Sequence, residues 1–247
     1  MGSCYIARCF LHPKGTATVS SDQPQATVPD PFRPSAHTGL LIAALREAGP
    51  TLDRTAGLDM GLGSGVVLAV LGQIGVRRLF GVDIDPAALI ATATLLQEEG
   101  LIDQASVHLG SLWDTLAGER FSIIAANLPQ FAADAPADPE HSPYWSSAGS
   151  DGRRFMDPFL AGLGAHLLPG GAAFIAHNVF LGLDRTRAIL RTHGLVCACV
   201  NATSVLLHPQ KAGMLNPSLR QQGAAVGIHR VGAYEFIDVQ VLKITHA

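Results

Sequence analysis

The spacing of apolar positions along this chain changes character several times, and each change marks an element. Between Ser35 and Gly49, Leu40, Leu41, Ala44 and Leu45 fall on one face of a 3.6-residue period, which predicts an amphipathic helix. Ser35 is placed to cap its start, and Gly49-Pro50 ends it. Beyond it, short apolar runs (AGLDM, RRLFGVDID, ASVHL, FSIIAAN, AAFIAHNVF, LVCACVNATSVLL, YEFIDVQVLKIT) read as strands. Four segments between them read as helices: SGVVLAVLGQIG; PAALIATATLLQEEG, with Pro86 in its first turn; DPFLAGLGAHLLPGG, stopping at Pro-Gly-Gly; and GLDRTRAILRTHG. Strands separated by helices predict an α/β protein with a doubly wound, mostly parallel sheet. No helical pattern separates the last two strands, so these are expected to pair antiparallel. The stretch 208–223 between them is too long for a tight turn and reads as a lid or dimer contact.

The N-terminal segment follows neither period. CYIARCFL and TATVS form a candidate hairpin around HPKG, and four prolines between residues 20 and 34 keep the following stretch extended. Residues 1–34 are therefore an arm or lid, and 35–247 a single domain. The arm's only apolar stretch contains Arg8 and is too short for a signal or membrane span.

Composition narrows the function classes. Hydrophobic residues make up 48% of the 247 and charged residues 15%, enough for a large core and unlike a disordered chain. The 17 Lys and Arg against 20 Asp and Glu give a formal charge of −3. A protein gripping a phosphate backbone carries a basic excess, so nucleic acid is an unlikely partner. The four cysteines, Cys4, Cys9, Cys197 and Cys199, form no C-x-x-C pair and no Cys/His cluster with zinc spacing, so no metal is expected. Free thiols without a membrane span suit the cytoplasm.

Chemistry concentrates at two places. In GLDMGLGSGVV, Gly61, Gly63 and Gly65 stand between a predicted strand and a predicted helix, where the ligand crevice of an open α/β sheet lies. Alternating glycines permit positive φ and close approach of a ligand to the backbone. A dinucleotide fingerprint requires glycine at position 66, which is Val66. Asp59, two residues before the turn, would repel a pyrophosphate and suits a cationic amino-acid ligand. Asp83, 18 residues beyond Gly65, ends the next strand, where a carboxylate can accept hydrogen bonds from ribose hydroxyls. The second place is IIAANLPQF. Asn127 follows an apolar strand, and Pro129 holds Leu128 extended. The Asn127 amide and the Leu128 carbonyl can then hold an N–H donor with its lone pair toward an electrophile.

The run D-x-G-x-G-x-G followed by V-D-I-D-P resembles the first two motifs of class I S-adenosylmethionine-dependent methyltransferases, whose Rossmann-like sheet has seven strands with the last antiparallel. That resemblance implies S-adenosylmethionine as cofactor. Asp59, Gly61, Gly63 and Gly65 would hold its methionine part and Asp83 its ribose. Ile84 would pack on adenine, with Ser111 and Leu112 nearby. Asn127-Leu128-Pro129-Gln130 resembles the N-P-P-Y motif of the HemK/PrmC-like methyltransferases, with Leu128 in place of a proline and Gln130 in place of the aromatic. Phe131, Tyr144 or Trp145 are the candidates for the missing stacking surface, and His177, at a strand end, for a substrate contact. DPFRPSAHTGLL (30–41) and AGSDGRRFMDPFLAGLGAHLLPGG (148–171) resemble further segments of the same group.

The separate helical substrate domain of that group has no counterpart in the short arm, which favours a small acceptor. The resulting expectation is methyl transfer to a nitrogen of a small molecule or amino-acid side chain. Two alternatives keep the cofactor: a cyclase or alkyl transferase releasing methylthioadenosine, as in azetidine formation, and a non-catalytic cofactor-binding protein. A nicotinamide dehydrogenase is a further, weaker alternative. Oligomeric state is not legible.

Overall fold

The computed structural model describes residues 33–132, 148–223 and 226–247. Most of the proposed arm, together with Tyr144 and Trp145, lies outside the described residues. Among those described, eight strands form one sheet. In chain order they are β1 (Ala56–Met60), β2 (Arg78–Asp83), β3 (Ala105–Leu109), β4 (Phe121–Ala126), β5 (Leu167–Asn178), β6 (Leu195–Leu207), β7 (Ile228–Val231) and β8 (Tyr234–His246). Their spatial order is β3-β2-β1-β4-β5-β8-β6. The first five are mutually parallel; β8 runs antiparallel between β5 and β6. This is the Rossmann-like methyltransferase sheet, with its last strand antiparallel as expected.

The eighth strand corrects the expected count of seven. Pairing of β5 with β8 ends at Asn178 opposite Val239, and β7 takes up the same side of β8 from Ile237 onward. Gly232, with φ of +59°, turns the β7–β8 hairpin.

Helices α1 (Ala36–Ala48), α2 (Val66–Gln73) and α3 (Pro86–Glu98) cover one face, and α4 (Met156–His166) and α5 (Leu183–Thr192) the other. The fully buried runs of β1 and β4 are what a central parallel strand covered on both faces requires. On the first face Leu41 and Leu45 of α1 and Leu68 of α2 pack over Ala125, Phe174 and Val241. On the second, Phe159 and Leu163 of α4 and Leu190 of α5 pack over Leu58, Ile124 and Ile175.

Two boundaries differ from the sequence reading. Helix α4 stops at His166, and Leu167-Leu168-Pro169-Gly170-Gly171 already belongs to β5. The β4–β5 register shifts between Phe121 and Ile123, so the Pro-Gly-Gly run is absorbed as an irregularity of the strand. The stretch 208–223 is two short helices, α6 (Pro209–Met214) and α7 (Pro217–Gly223). Each begins on a proline, a residue pre-set for a first turn; an apolar period is hard to see over six or seven residues. Among the described residues no helix is long and apolar enough to cross a membrane.

Candidate active site

The carboxyl ends of the parallel strands open into a cavity of about 460 Å³. Its floor is the turn after β1. Gly61, Gly63 and Gly65 all have positive φ (+82°, +51° and +78°), which L side chains rarely adopt, so the path of this turn depends on glycine. Gly65 is also a packing requirement: a Cβ there would lie 2.8 Å from the Thr92 Cα of α3. Gly65 therefore acts below the turn, while Gly61 and Gly63 line the cavity.

Two carboxylates face that turn from different strands. Asp83 accepts from the Gly63 amide (3.0 Å) through one oxygen and from the Asp85 amide (2.9 Å) through the other, tying β2 to the turn after β1. Burial raises its pKa, opposed by these amides. Asp59, in β1, is 2% exposed. Its Oδ2 is buried with no hydrogen-bond partner. Burial pushes this carboxyl well above the usual carboxylate range, and the Asp83 charge pushes the same way. Asp59 thus brings a buried, unpartnered carboxyl oxygen to the cavity lining beside a second acid. Farther along, Ile84 after β2 and Ser111 and Leu112 after β3 line the same cavity. Leu112 is the only non-glycine residue with positive φ (+47°) among those described. Such strain gathers at ligand-binding loops.

The other half of the cavity is formed by the loop after β4 and the ends of α1, β5 and β6. The Asn127 Nδ2 donates to Thr38 Oγ1 (3.1 Å). Thr38 also accepts from the Ser35 amide, while the Ser35 hydroxyl accepts from Thr38 N, closing the capping box of α1. Ser35 thus caps the helix as expected, and the cap also fixes the Asn127 amide. Beside it, His37 Nε2 lies 2.8 Å from Asn178 Oδ1. An amide oxygen only accepts, so Nε2 carries the proton. Burial, assisted by Lys211, lowers the His37 pKa against the pull of Asn178.

Gln130 does not stand in for the stacking aromatic. It is buried, donating to Ala176 O (2.8 Å) and more weakly to Leu128 O (3.3 Å), and accepting from Asn178 N (2.8 Å). It clamps the loop to the end of β5. Leu128, Pro129 and Phe131 line the cavity, as does Phe155.

His177 is not brought to the cavity. It is fully buried, with Nε2 2.9 Å from Thr186 Oγ1, and burial with the nearby Arg153 charge lowers its pKa to about 4. Successive strand residues point to opposite faces, so His177 is turned away and Asn178, one residue on, reaches the cavity. The neighbouring Arg153 is buried as well, against Asp157, Leu181 O and Thr186. Sequence reading missed Asn178, Phe155 and the clamp by Gln130. Only the length of the FIAHN strand hinted at the first.

The residues present fit S-adenosylmethionine: the orphaned Asp59 oxygen suits its ammonium, the glycine turn its close approach, Asp83 the ribose, and Ile84 and Leu112 a flat base. Sheet order, glycine turn and paired carboxylates together define the class I S-adenosylmethionine-dependent methyltransferases.

Comparison with known proteins finds similarity to methyltransferases. The family described as Ribosomal protein L11 methyltransferase (PrmA) matches residues 37–130. A release factor glutamine methyltransferase of Xylella fastidiosa (strain Temecula1) is 31% identical over 144 residues, covering 56% of this chain and 52% of that protein. Ribosomal RNA large subunit methyltransferase F of Pseudomonas putida is 26% identical over 77% of this chain and 64% of the relative. Among solved structures, the N-methyltransferase NodS of Bradyrhizobium japonicum, in complex with S-adenosylhomocysteine, is similar in fold. Its TM-score is 0.54 at 14% identity, with 89% of this chain and 92% of that one covered. The chain spans about half the length of the first of these curated relatives.

Proposed function

We propose that the protein is a cytoplasmic methyltransferase that moves the methyl group of S-adenosylmethionine to a nitrogen of a small molecule or an amino-acid side chain. The observation that carries this reading is the state of the Asn127 amide. Its NH₂ group is committed to Thr38, so the Oδ1 is the acceptor left on the cavity wall. With the Leu128 carbonyl one residue away, an acceptor N–H is held at two points and its lone pair is aimed, not searching. S-adenosylmethionine supplies an electrophilic methyl carbon on a sulfonium that leaves as a neutral thioether. Asp59, Asp83 and the glycine turn would hold the cofactor, and the leucine, phenylalanine and valine walls exclude water from the reacting atoms.

The relative named as a glutamine methyltransferase supports an amide-type nitrogen as acceptor. The relative named for ribosomal RNA weighs against the expectation that nucleic acid is unlikely. Formal charge of −3 and a cavity bordered by α6 favour the small acceptor.

The test is transfer of a tritiated methyl group from the cofactor into a cell extract, separated afterwards into low-mass, protein and RNA fractions. Label is expected in the low-mass or the protein fraction, the two acceptor classes proposed. Asn127→Ala is expected to reduce incorporation by about 100-fold or more while S-adenosylhomocysteine still binds, since alignment of the acceptor is what it removes. Label confined to RNA would overturn the acceptor class. Methylthioadenosine formed from cofactor alone would replace transfer by cyclisation.

A further inference from the structure

Methyl transfer leaves a proton to be placed. When the sulfonium departs as a neutral thioether, its positive charge passes to the acceptor nitrogen, which must then lose an N–H proton. The groups that orient this nitrogen, the Asn127 amide oxygen and the Leu128 carbonyl, are too weakly basic to keep it. Of the acids lining the cavity, Asp83 already accepts from two backbone amides, Asp85 caps α3, and Asp59 lies at the cofactor turn. Two imidazoles line the same cavity, His37 and His208. His208 is exposed at the start of α6, where its side chain makes no capping hydrogen bond. His37 is held in place. Its Nε2 lies 2.8 Å from Asn178 Oδ1, which puts the proton on Nε2 and leaves the lone pair on Nδ1. Among the described residues Nδ1 has no hydrogen-bond partner, and it is not sealed into the packing as the orphaned Asp59 oxygen is. Asn178 is anchored in turn by its backbone amide to Gln130, and Thr38, next along α1, holds Asn127. Adjacent residues of one helix therefore set both the imidazole and the amide that orients the acceptor.

Resting on the methyltransferase reading, we propose that His37 is a catalytic residue of the transfer, the proton acceptor for the nitrogen that Asn127 and Leu128 orient. The nitrogen lone pair forms the N–C bond, and the C–S bond breaks with its electron pair going to sulfur. The nitrogen gives an N–H proton to His37 Nδ1. The charge that began on the sulfonium ends on the imidazolium, whose Nε2 still donates to Asn178, and the proton passes to water as the products leave. A weak base is enough, because a positively charged amide or ring nitrogen is a stronger acid than an imidazolium. Burial and the Lys211 charge from α6 keep the imidazole neutral at neutral pH, the state that can take a proton. The other charged groups of the cavity lining are Arg33, before α1, and Asp59, Asp83 and Asp85, at the ends of β1 and β2.

The test is the pH dependence of methyl transfer by the full-length protein. Initial rates of tritiated methyl incorporation into a cell extract are measured from about pH 5 to 9. The wild-type rate is expected to fall on the acid side, below the ordinary histidine value of 6.5, as solvent protonates Nδ1. His37→Gln, which can still donate to Asn178, is expected to lower the rate by about 100-fold or more and to remove that acid limb. Its affinity for S-adenosylhomocysteine should be unchanged. Imidazole added to His37→Ala is expected to restore incorporation in proportion to its neutral form, a rescue that a purely structural histidine would not show. His208→Gln should keep both the rate and the limb. The inference is overturned if His37→Gln transfers methyl at close to the wild-type rate, or if imidazole restores nothing to a His37→Ala protein that still binds S-adenosylhomocysteine. An acid limb that follows His208 instead overturns it as well. Absence of incorporation by the wild-type protein would sink the methyltransferase reading itself; transfer indifferent to His37 sinks only this one.

Discussion

A single carboxyl governs how the cofactor half behaves without ligand. Asp59 is buried beside Asp83, and both the burial and the second acid raise its pKa. The sign follows from linkage. A carboxyl whose folded pKa exceeds its unfolded value binds protons more readily when folded. Its contribution to stability is present below the ordinary carboxylate range and is lost as pH rises through the raised value. Thermal melts of the cofactor-free protein are therefore expected to fall with rising pH across that window, and Asp59→Asn should flatten the fall. The same substitution should weaken S-adenosylhomocysteine binding by roughly 10- to 100-fold, the worth of a hydrogen bond to a charged group. Calorimetry reads it directly. A stabilised but equally tight-binding variant would show that Asp59 does not meet the cofactor. The prominence of Asp59 was legible from its place before the glycine turn. Its orphaned oxygen was not, because the neighbours that bury it come from elements distant in sequence.

At the level of elements, the site is held by contacts between strand ends and helix starts. Gly65 opens α2 at φ of +78°, and a methyl group there would strike the Thr92 backbone of α3. Gly65→Ala is expected to cost about 1–3 kcal/mol through overpacking and backbone strain, seen as a lower denaturant midpoint. Shortening Thr92 should not rescue it, since Thr92 Cα is itself 2.8 Å away. Gln130 holds the acceptor loop to β5 by two hydrogen bonds, donating to Ala176 O and accepting from Asn178 N. Gln130→Leu keeps the volume but strands the Ala176 carbonyl and the Asn178 amide. We expect a loss of about 1–3 kcal/mol, the cost of a buried group left unpaired. Incorporation of methyl label should fall with cofactor affinity little changed. Glycine spacing revealed the turn but read Gly65 as a ligand contact, and its packing against Thr92 was not legible. The Gln130 contact was hidden too, because a glutamine in a loop gives no sign in sequence of which strand it will reach.

For the whole molecule, acid stability has a specific buried reporter. His177, between the sheet and α5, has a pKa of about 4 against an ordinary 6.5, so it stays neutral in the folded protein over a range in which the unfolded chain takes up a proton. Stability is expected to drop as pH falls from about 6.5 toward 4, by up to roughly 1.4 kcal/mol per pH unit from this group. His177→Gln should remove that portion of the slope in urea titrations at pH 7, 6 and 5. An unchanged slope would assign acid sensitivity to other groups.

The sequence by itself determined the alternation of strands and helices, the cofactor turn and the carboxylates at two strand ends. These are local patterns: a period of 2 or 3.6, a glycine at a positive φ, a proline in a first turn. Tertiary structure alone decided the rest. It added an eighth strand where β5 runs out, turned His177 inward and Asn178 toward the cavity, and made Gln130 a clamp. It also brought Thr38 to Asn127 across 89 positions of the chain and His37 to Asn178 across 141. Such pairings depend on which elements become neighbours in the sheet and on which face each residue falls, and no local spacing encodes either.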